Sequence, residues 1–260
     1  MNLATCDLFG VPVAAITMDT ALGLVDEAIS AKRPLQIGVV NAAKLVNMRR
    51  NEELRADVLS SDLVLADGMA VVWASRILGR PLPERVAGID LMMGMLARGN
   101  AAHHRVYCLG ATPEVLDAVV TRIRREYPGI TVAGSHHGYF KEADEPRVAA
   151  NIAAAQPDIL LIAMTSPRKE RFLSRWSRDL AVPVCHGVGG SFDVFGGYVQ
   201  RAPERWQRLG LEWLYRVKQE PRRLWKRYFT TNSAFVAMVA GALCRQQLAR
   251  FRPAARVTPT

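Results

Sequence analysis

"DILLIAMTSPRKERFLSRWSRDLAVPVCHG", residues 158–187, decides the fold. It holds an apolar run at 158–164, an amphipathic stretch at 168–180 and a second apolar run at 183–187. Two short apolar runs joined by a helix-length amphipathic segment form a βαβ unit. Parallel strands need a long crossover, and strands buried on both faces read as unbroken apolar runs. The same alternation extends outward through residues 1–200. Strands are expected over 35–40, 63–66, 105–109, 130–133, 158–164 and 183–187, and helices over 42–56, 69–78, 89–98, 113–127, 145–154 and 168–180. Thr112 and Pro113 place a hydroxyl at an N-cap and a proline at the first helical position. The expected fold class is therefore α/β, a Rossmann-like, mostly parallel sheet flanked by helices. Ligands of such sheets bind beyond the carboxyl ends of the strands.

Charge divides the chain at the same place as pattern. From Arg201 to the end there are 13 Lys or Arg against three acids, which leaves 21 bases and 21 acids in residues 1–200 and puts the whole net charge of +10 in the last 60 residues. We read 1–200 as a neutral α/β body and 201–260 as a basic, aromatic helical appendage. In the appendage, Trp206, Trp213, Tyr215, Trp225, Tyr228 and Phe229 alternate with arginines at helical spacing, and Pro221 can open a second helix. Such a composition suits an anionic membrane surface; the alternative is a solvated charged face whose aromatics pack on the body. The longest apolar stretch there, 233–244, falls short of the ~20 residues of a membrane-crossing helix. The N-terminal stretch lacks a basic region followed by a continuous apolar one, which argues against secretion. Cys6, Cys108, Cys185 and Cys244 are widely separated and read as small buried hydrophobes in a reducing cytoplasm.

Three strand ends carry candidate chemistry. Asn41 follows the run 35–40 and either caps the next helix or faces a ligand. Asp67-Gly68 follows 63–66, where the carboxylate is either a helix cap or a general base. Gly187, Gly189, Gly190 and Ser191 follow 183–186, a spacing that lets backbone amides face a diphosphate. Generic alternatives fail. GxGxxG in its strand–turn–helix context, the GxxxxGK[ST] loop, GxSxG and a DxD-like acidic pair are all missing, and His103-His104 and His136-His137 lack metal-ligand spacing. Nucleic-acid binding through the tail is disfavoured because the body has no basic face of its own. A soluble phosphorylated donor meeting a lipid-linked acceptor accounts for the glycine loop, the lone aspartate and the tail together.

Residues 66–92 (ADGMAVVWASRILGRPLPERVAGIDLM), 108–130 with the later HGYF, 156–173 (QPDILLIAMTSPRKERFL) and 187–228 (GVGGSFDVFGGYVQRAPERWQRLGLEWLYRVKQEPRRLWKRY) together resemble the WecG/TagA/CpsF glycosyltransferase family. The resemblance implies an inverting, metal-independent transfer of a sugar, typically N-acetylmannosamine, from UDP to an undecaprenyl-diphosphate-linked sugar at the cytoplasmic face of the membrane. It needs no cofactor beyond the UDP-sugar donor. Asp67 matches the proposed general base. Arg85, Arg216, Arg223 and Arg227 match positions suited to the departing UDP or the acceptor diphosphate, and Asn41 a position near the donor sugar. Asp193 either receives ribose or uracil or satisfies loop amides. Relatives also imply a homo-oligomer that covers apolar tail surface. Two departures stand out: Val39 where many relatives carry a hydroxyl, and Lys169 where they carry an amide, a lysine able to pair with the UDP diphosphate. The alternatives are transfer of another UDP-hexose to a lipid-linked exopolysaccharide intermediate, and a non-catalytic UDP-sugar sensor.

Overall fold

A computed structural model describes residues 3–250. It opens with a hairpin, β1 (Thr5–Asp7) against β2 (Pro12–Ala14), and helix α1 (Met18–Ser30). None of these was expected from the sequence; the two strands, of three residues each, are too short to display a period. Helix α1 is capped by Thr17 and buries Ala21, Leu22, Val25 and Ala28, a helical spacing that the sequence does display.

The other strands are β3 (Leu35–Val40), β4 (Leu63–Ala66), β5 (Arg105–Gly110), β6 (Thr131–His136), β7 (Ile159–Ala163) and β8 (Val184–Gly187). They form one sheet in the order β4-β3-β8-β7-β5-β6, with every neighbouring pair parallel. The α/β fold class and its parallel sheet are thus as expected. β7 shows why its sequence is apolar throughout: Ile159, Leu161 and Ala163 enter the core on one face, Leu160 and Ile162 the core on the other.

Helices α2 (Ala42–Met48) and α3 (Glu52–Leu59) replace the single helix expected over 42–56. The break is chemical: Asn51 Oδ1 accepts the Leu54 N–H at 2.8 Å and starts a new helix. Next come α4 (Met69–Ile77), α5 (Gly88–Ala102), α6 (Pro113–Glu126), α7 (Glu145–Ala155), α8 (Arg168–Leu180) and the short α9 (Ser191–Phe195). One face of the sheet is covered by α1, α5, α6 and α9, the other by α2, α3, α4, α7 and α8.

The basic segment forms α10 (Glu204–Arg208), α11 (Glu212–Gln219) and α12 (Pro221–Arg250), three helices where two were expected. Pro221 does open the last. Charge changes near residue 200, but packing runs across that point. Phe235, Met238 and Val239 of α12 are buried among Leu45 and Met48 of α2 and Leu8 and Val11 of the hairpin, with the Phe9 and Phe235 rings edge-on at 5.9 Å. No helix among the described residues is long and apolar enough to cross a membrane. Cys6, Cys108 and Cys185 are buried, and burial pushes the Cys108 and Cys185 thiols up to about 12; Cys244, against expectation, is exposed because it lies on the outer side of α12.

Candidate active site

The loops after β3 and β4 leave the sheet side by side, joined by the Asp67 N–H donating to Val40 O at 2.9 Å. Asn41 caps α2, its Oδ1 accepting the Lys44 N–H at 3.0 Å. Asp67 does not cap the helix that follows it. The N-cap of α4 is Gly68, with no side-chain hydrogen bond, and Asp67 Oδ1 instead accepts the Gly88 N–H at 2.8 Å. Gly88 is the first residue of α5, so the half-buried carboxylate meets one of that helix's unpaired donors at its positive end. Behind Gly88 stands His186, fully buried, whose Nε2 donates to Gly88 O at 3.0 Å. Burial holds this imidazole down to about 4, which keeps it neutral.

In the glycine loop several amides are held by the backbone itself. Val188 and Gly189 both donate their N–H to Ile162 O, at 2.9 and 3.2 Å, and Ser191 donates both its N–H and its Oγ–H to Val188 O, at 3.2 and 2.7 Å. Gly187 and Gly189 also make room for a side chain. A Cβ on Gly187 would stand 3.3 Å from both Cδ and Cε of Lys169, and one on Gly189, at φ +55°, would stand 3.3 Å from Lys169 Nζ. The loop is bare so that this lysine can pass beneath it.

Lys169 belongs to a buried charge cluster. Its Nζ lies 3.5 Å from Gly187 O and 3.8 Å from Glu170 Oε1, while Lys44 Nζ holds the same Oε1 at 2.7 Å. All three residues are less than a tenth exposed. Burial first, and then the Lys44 charge, push the Lys169 ammonium down to about 8, against the opposing pull of Glu170 and Asp67. Burial works to raise the Glu170 carboxyl, but the two ammonium groups outweigh it and hold it below the ordinary carboxylate range. Within the cluster two ammonium groups thus share one carboxylate oxygen, unequally.

On the outer side of the loop is a cavity of about 270 Å³ between body and tail. Gly190 and Asp193 line it from the body, and Arg216 of α11 and Leu224 and Arg227 of α12 from the tail. Four of the residues singled out in the sequence are thereby brought together. Arg85 is not in that lining. Its guanidinium pairs with Glu212 Oε2 at 2.8 Å and Asp90 Oδ2 at 3.5 Å, Asp90 also pairs with Arg201 at 2.6 Å, and Glu212 lies 3.6 Å from Arg216. Arginines and carboxylates thus alternate from the body to the cavity wall. Arg223 falls in the first turn of α12, and its side chain lies outside the described residues. Lys44, Glu170, His186, Asp90 and Glu212 were not expected at the site. A charge inside the apolar run AAKLV, residues 42–46, was a usable signal for Lys44; the other four acquire their roles only through tertiary contacts. Among the described residues no three or more His, Cys, Asp or Glu side chains converge as metal ligands.

Comparison with known proteins adds identity to this geometry. The model of the glycosyl transferase WecG/TagA/CpsF family matches residues 6–249. The chain is similar to the N-acetylglucosaminyldiphosphoundecaprenol N-acetyl-beta-D-mannosaminyltransferase of Bacillus spizizenii (strain ATCC 23059 / NRRL B-14472 / W23), 39% identical over 190 residues that make up 73% of each chain. It is 42% identical over 172 residues, 66% of each chain, to the protein of the same name from Bacillus subtilis (strain 168).

Proposed function

Because the chain belongs to the WecG/TagA/CpsF family of glycosyl transferases, we propose that it moves N-acetylmannosamine, the sugar in its relatives' names, from a UDP donor to a sugar carried on undecaprenyl diphosphate. The acceptor hydroxyl attacks the anomeric carbon from the face opposite UDP. As the new C–O bond forms, the hydroxyl proton passes to Asp67, and the bond to the β-phosphate breaks with its electron pair leaving on UDP. Configuration inverts in this single displacement. Lys169, Arg216 and Arg227 supply positive charge toward the departing diphosphate, so the reaction asks for no metal ion. The basic tail meets the inner face of the plasma membrane, where the lipid-linked acceptor resides.

The observation that carries this reading is the state of Asp67. It stands at a strand's carboxyl end, released from capping its own helix, with Oδ1 fixed by Gly88 and Oδ2 left to accept a proton. A base positioned in this way contributes roughly 10²–10⁴-fold in rate. Asp67→Asn should therefore keep the fold and donor binding but lose at least ~100-fold in transfer. The measurement is UDP released with a short-chain prenyl-diphosphate-linked N-acetylglucosamine as acceptor. Undiminished turnover would remove Asp67 from the mechanism.

A further inference from the structure

An ammonium has three hydrogens to donate. That of Lys169 has one long hydrogen bond, 3.5 Å to Gly187 O, and shares at 3.8 Å a carboxylate oxygen that Lys44 holds at 2.7 Å. The other oxygen of Glu170 is buried without a partner, so the carboxylate is turned toward Lys44 and is not shared evenly. Lys169 is left with charge that nothing nearby fully balances, at 8% exposure. Its Nζ is directed at Gly189, where a Cβ would stand 3.3 Å away, one residue from the Gly190 wall of the cavity. The groups that face it are Lys44 from α2, Glu170 from α8, Asp67 from the end of β4 and His186 from β8. Of these Lys44 opposes its charge, Glu170 and Asp67 favour it, and His186 is neutral.

We infer that Lys169 couples diphosphate binding to proton uptake: an anion seated over Gly189 completes the ammonium, and binding at mildly alkaline pH draws a proton onto Nζ. The inference rests on the reading of a UDP donor and adds a proton to its binding equilibrium. Its sign follows from linkage. The free site, poised near 8, is half deprotonated at that pH, whereas an adjacent dianion favours the charged form. Donor affinity should then fall as pH rises through this range.

The test is isothermal titration calorimetry of the full chain with UDP in two buffers of different ionisation enthalpy. At pH 8 the wild type should take up about half a proton per UDP, and close to none at pH 6.5. Lys169→Gln should bind UDP about tenfold more weakly with the uptake gone, which also corrects for any proton that the ligand itself gains. Lys169→Arg, charged at every accessible pH, should bind without proton exchange. UDP binding to the wild type with no buffer dependence at pH 8, or equal uptake by Lys169→Gln, would overturn the inference and leave the UDP reading intact. Inorganic pyrophosphate separates the two ideas further. If it draws the Lys169 proton while UDP fails to bind, the coupling stands and the uridine donor falls; if neither binds, both fall.

Discussion

His186 carries no charge in the folded protein, yet it determines how the protein responds to acid. Its imidazole is held to about 4, below the ~6.5 of an exposed histidine, chiefly because burial penalises the cation. Between these values the unfolded chain binds the proton and the folded one does not. The contribution to stability is therefore fully present above pH ~6.5 and is lost as pH falls toward 4, to the extent of roughly 3 kcal/mol. We expect the urea midpoint of the wild type to fall between pH 7 and 4.5 by more than that of His186→Asn. Equal slopes would mean that the ring is hydrated in solution. The same residue illustrates what a sequence reveals at this scale. Asp67 is legible because a carboxylate followed by glycine ends an apolar run. The Gly88 N–H that fixes it is 21 residues away, and the Gly88 carbonyl that holds His186 is 98 residues away, so neither hydrogen bond leaves a local trace. Glycines at 187 and 189 are visible, but whether they free amides or make room for a lysine depends on α8, a separate element.

Elements were more legible than residues wherever burial is complete. β4 and β7 are apolar on both faces and appear in the sequence as unbroken runs, while β3 and β8 are buried runs interrupted by Gln36 and His186. β6 is only half-buried, at the sheet edge, and was expected at 130–133 where it runs from Thr131 to His136. The hairpin escapes notice because its strands are short. The tail read as solvent- or membrane-facing because its charge is conspicuous, while the apolar residues that anchor α12 sit beyond the charged part. From that anchoring comes a prediction. Phe235→Ala removes a ring that is 5% exposed and stacked edge-on against Phe9, and should destabilise the fold by about 3–5 kcal/mol in urea titration. A change under 1 kcal/mol would mean that α12 is only loosely docked on α2.

At the scale of the molecule, a neutral body joins a strongly basic end that exposes Leu209, Trp225 and Phe229, at 63%, 57% and 68%. Trp206 pairs with Tyr215 and Trp213 with Tyr228, so the aromatics are divided between internal packing and the surface. Attraction of this end to anionic lipid should be worth ~1 kcal/mol per base near the surface and weaken with salt. The full chain should sediment with anionic vesicles at low ionic strength, remain in solution with neutral ones, and lose much of its binding when Trp225 and Phe229 are changed to serine. Equal sedimentation of that variant would assign the attraction to charge alone. One more property follows from the length of α12. Leu224 and Arg227 form part of the chamber wall, and Phe235, about 12–16 Å farther along the same rod, is buried in the interior. A compound shaped to fill the chamber should therefore brace the interior as well, and raise the melting temperature of the whole fold.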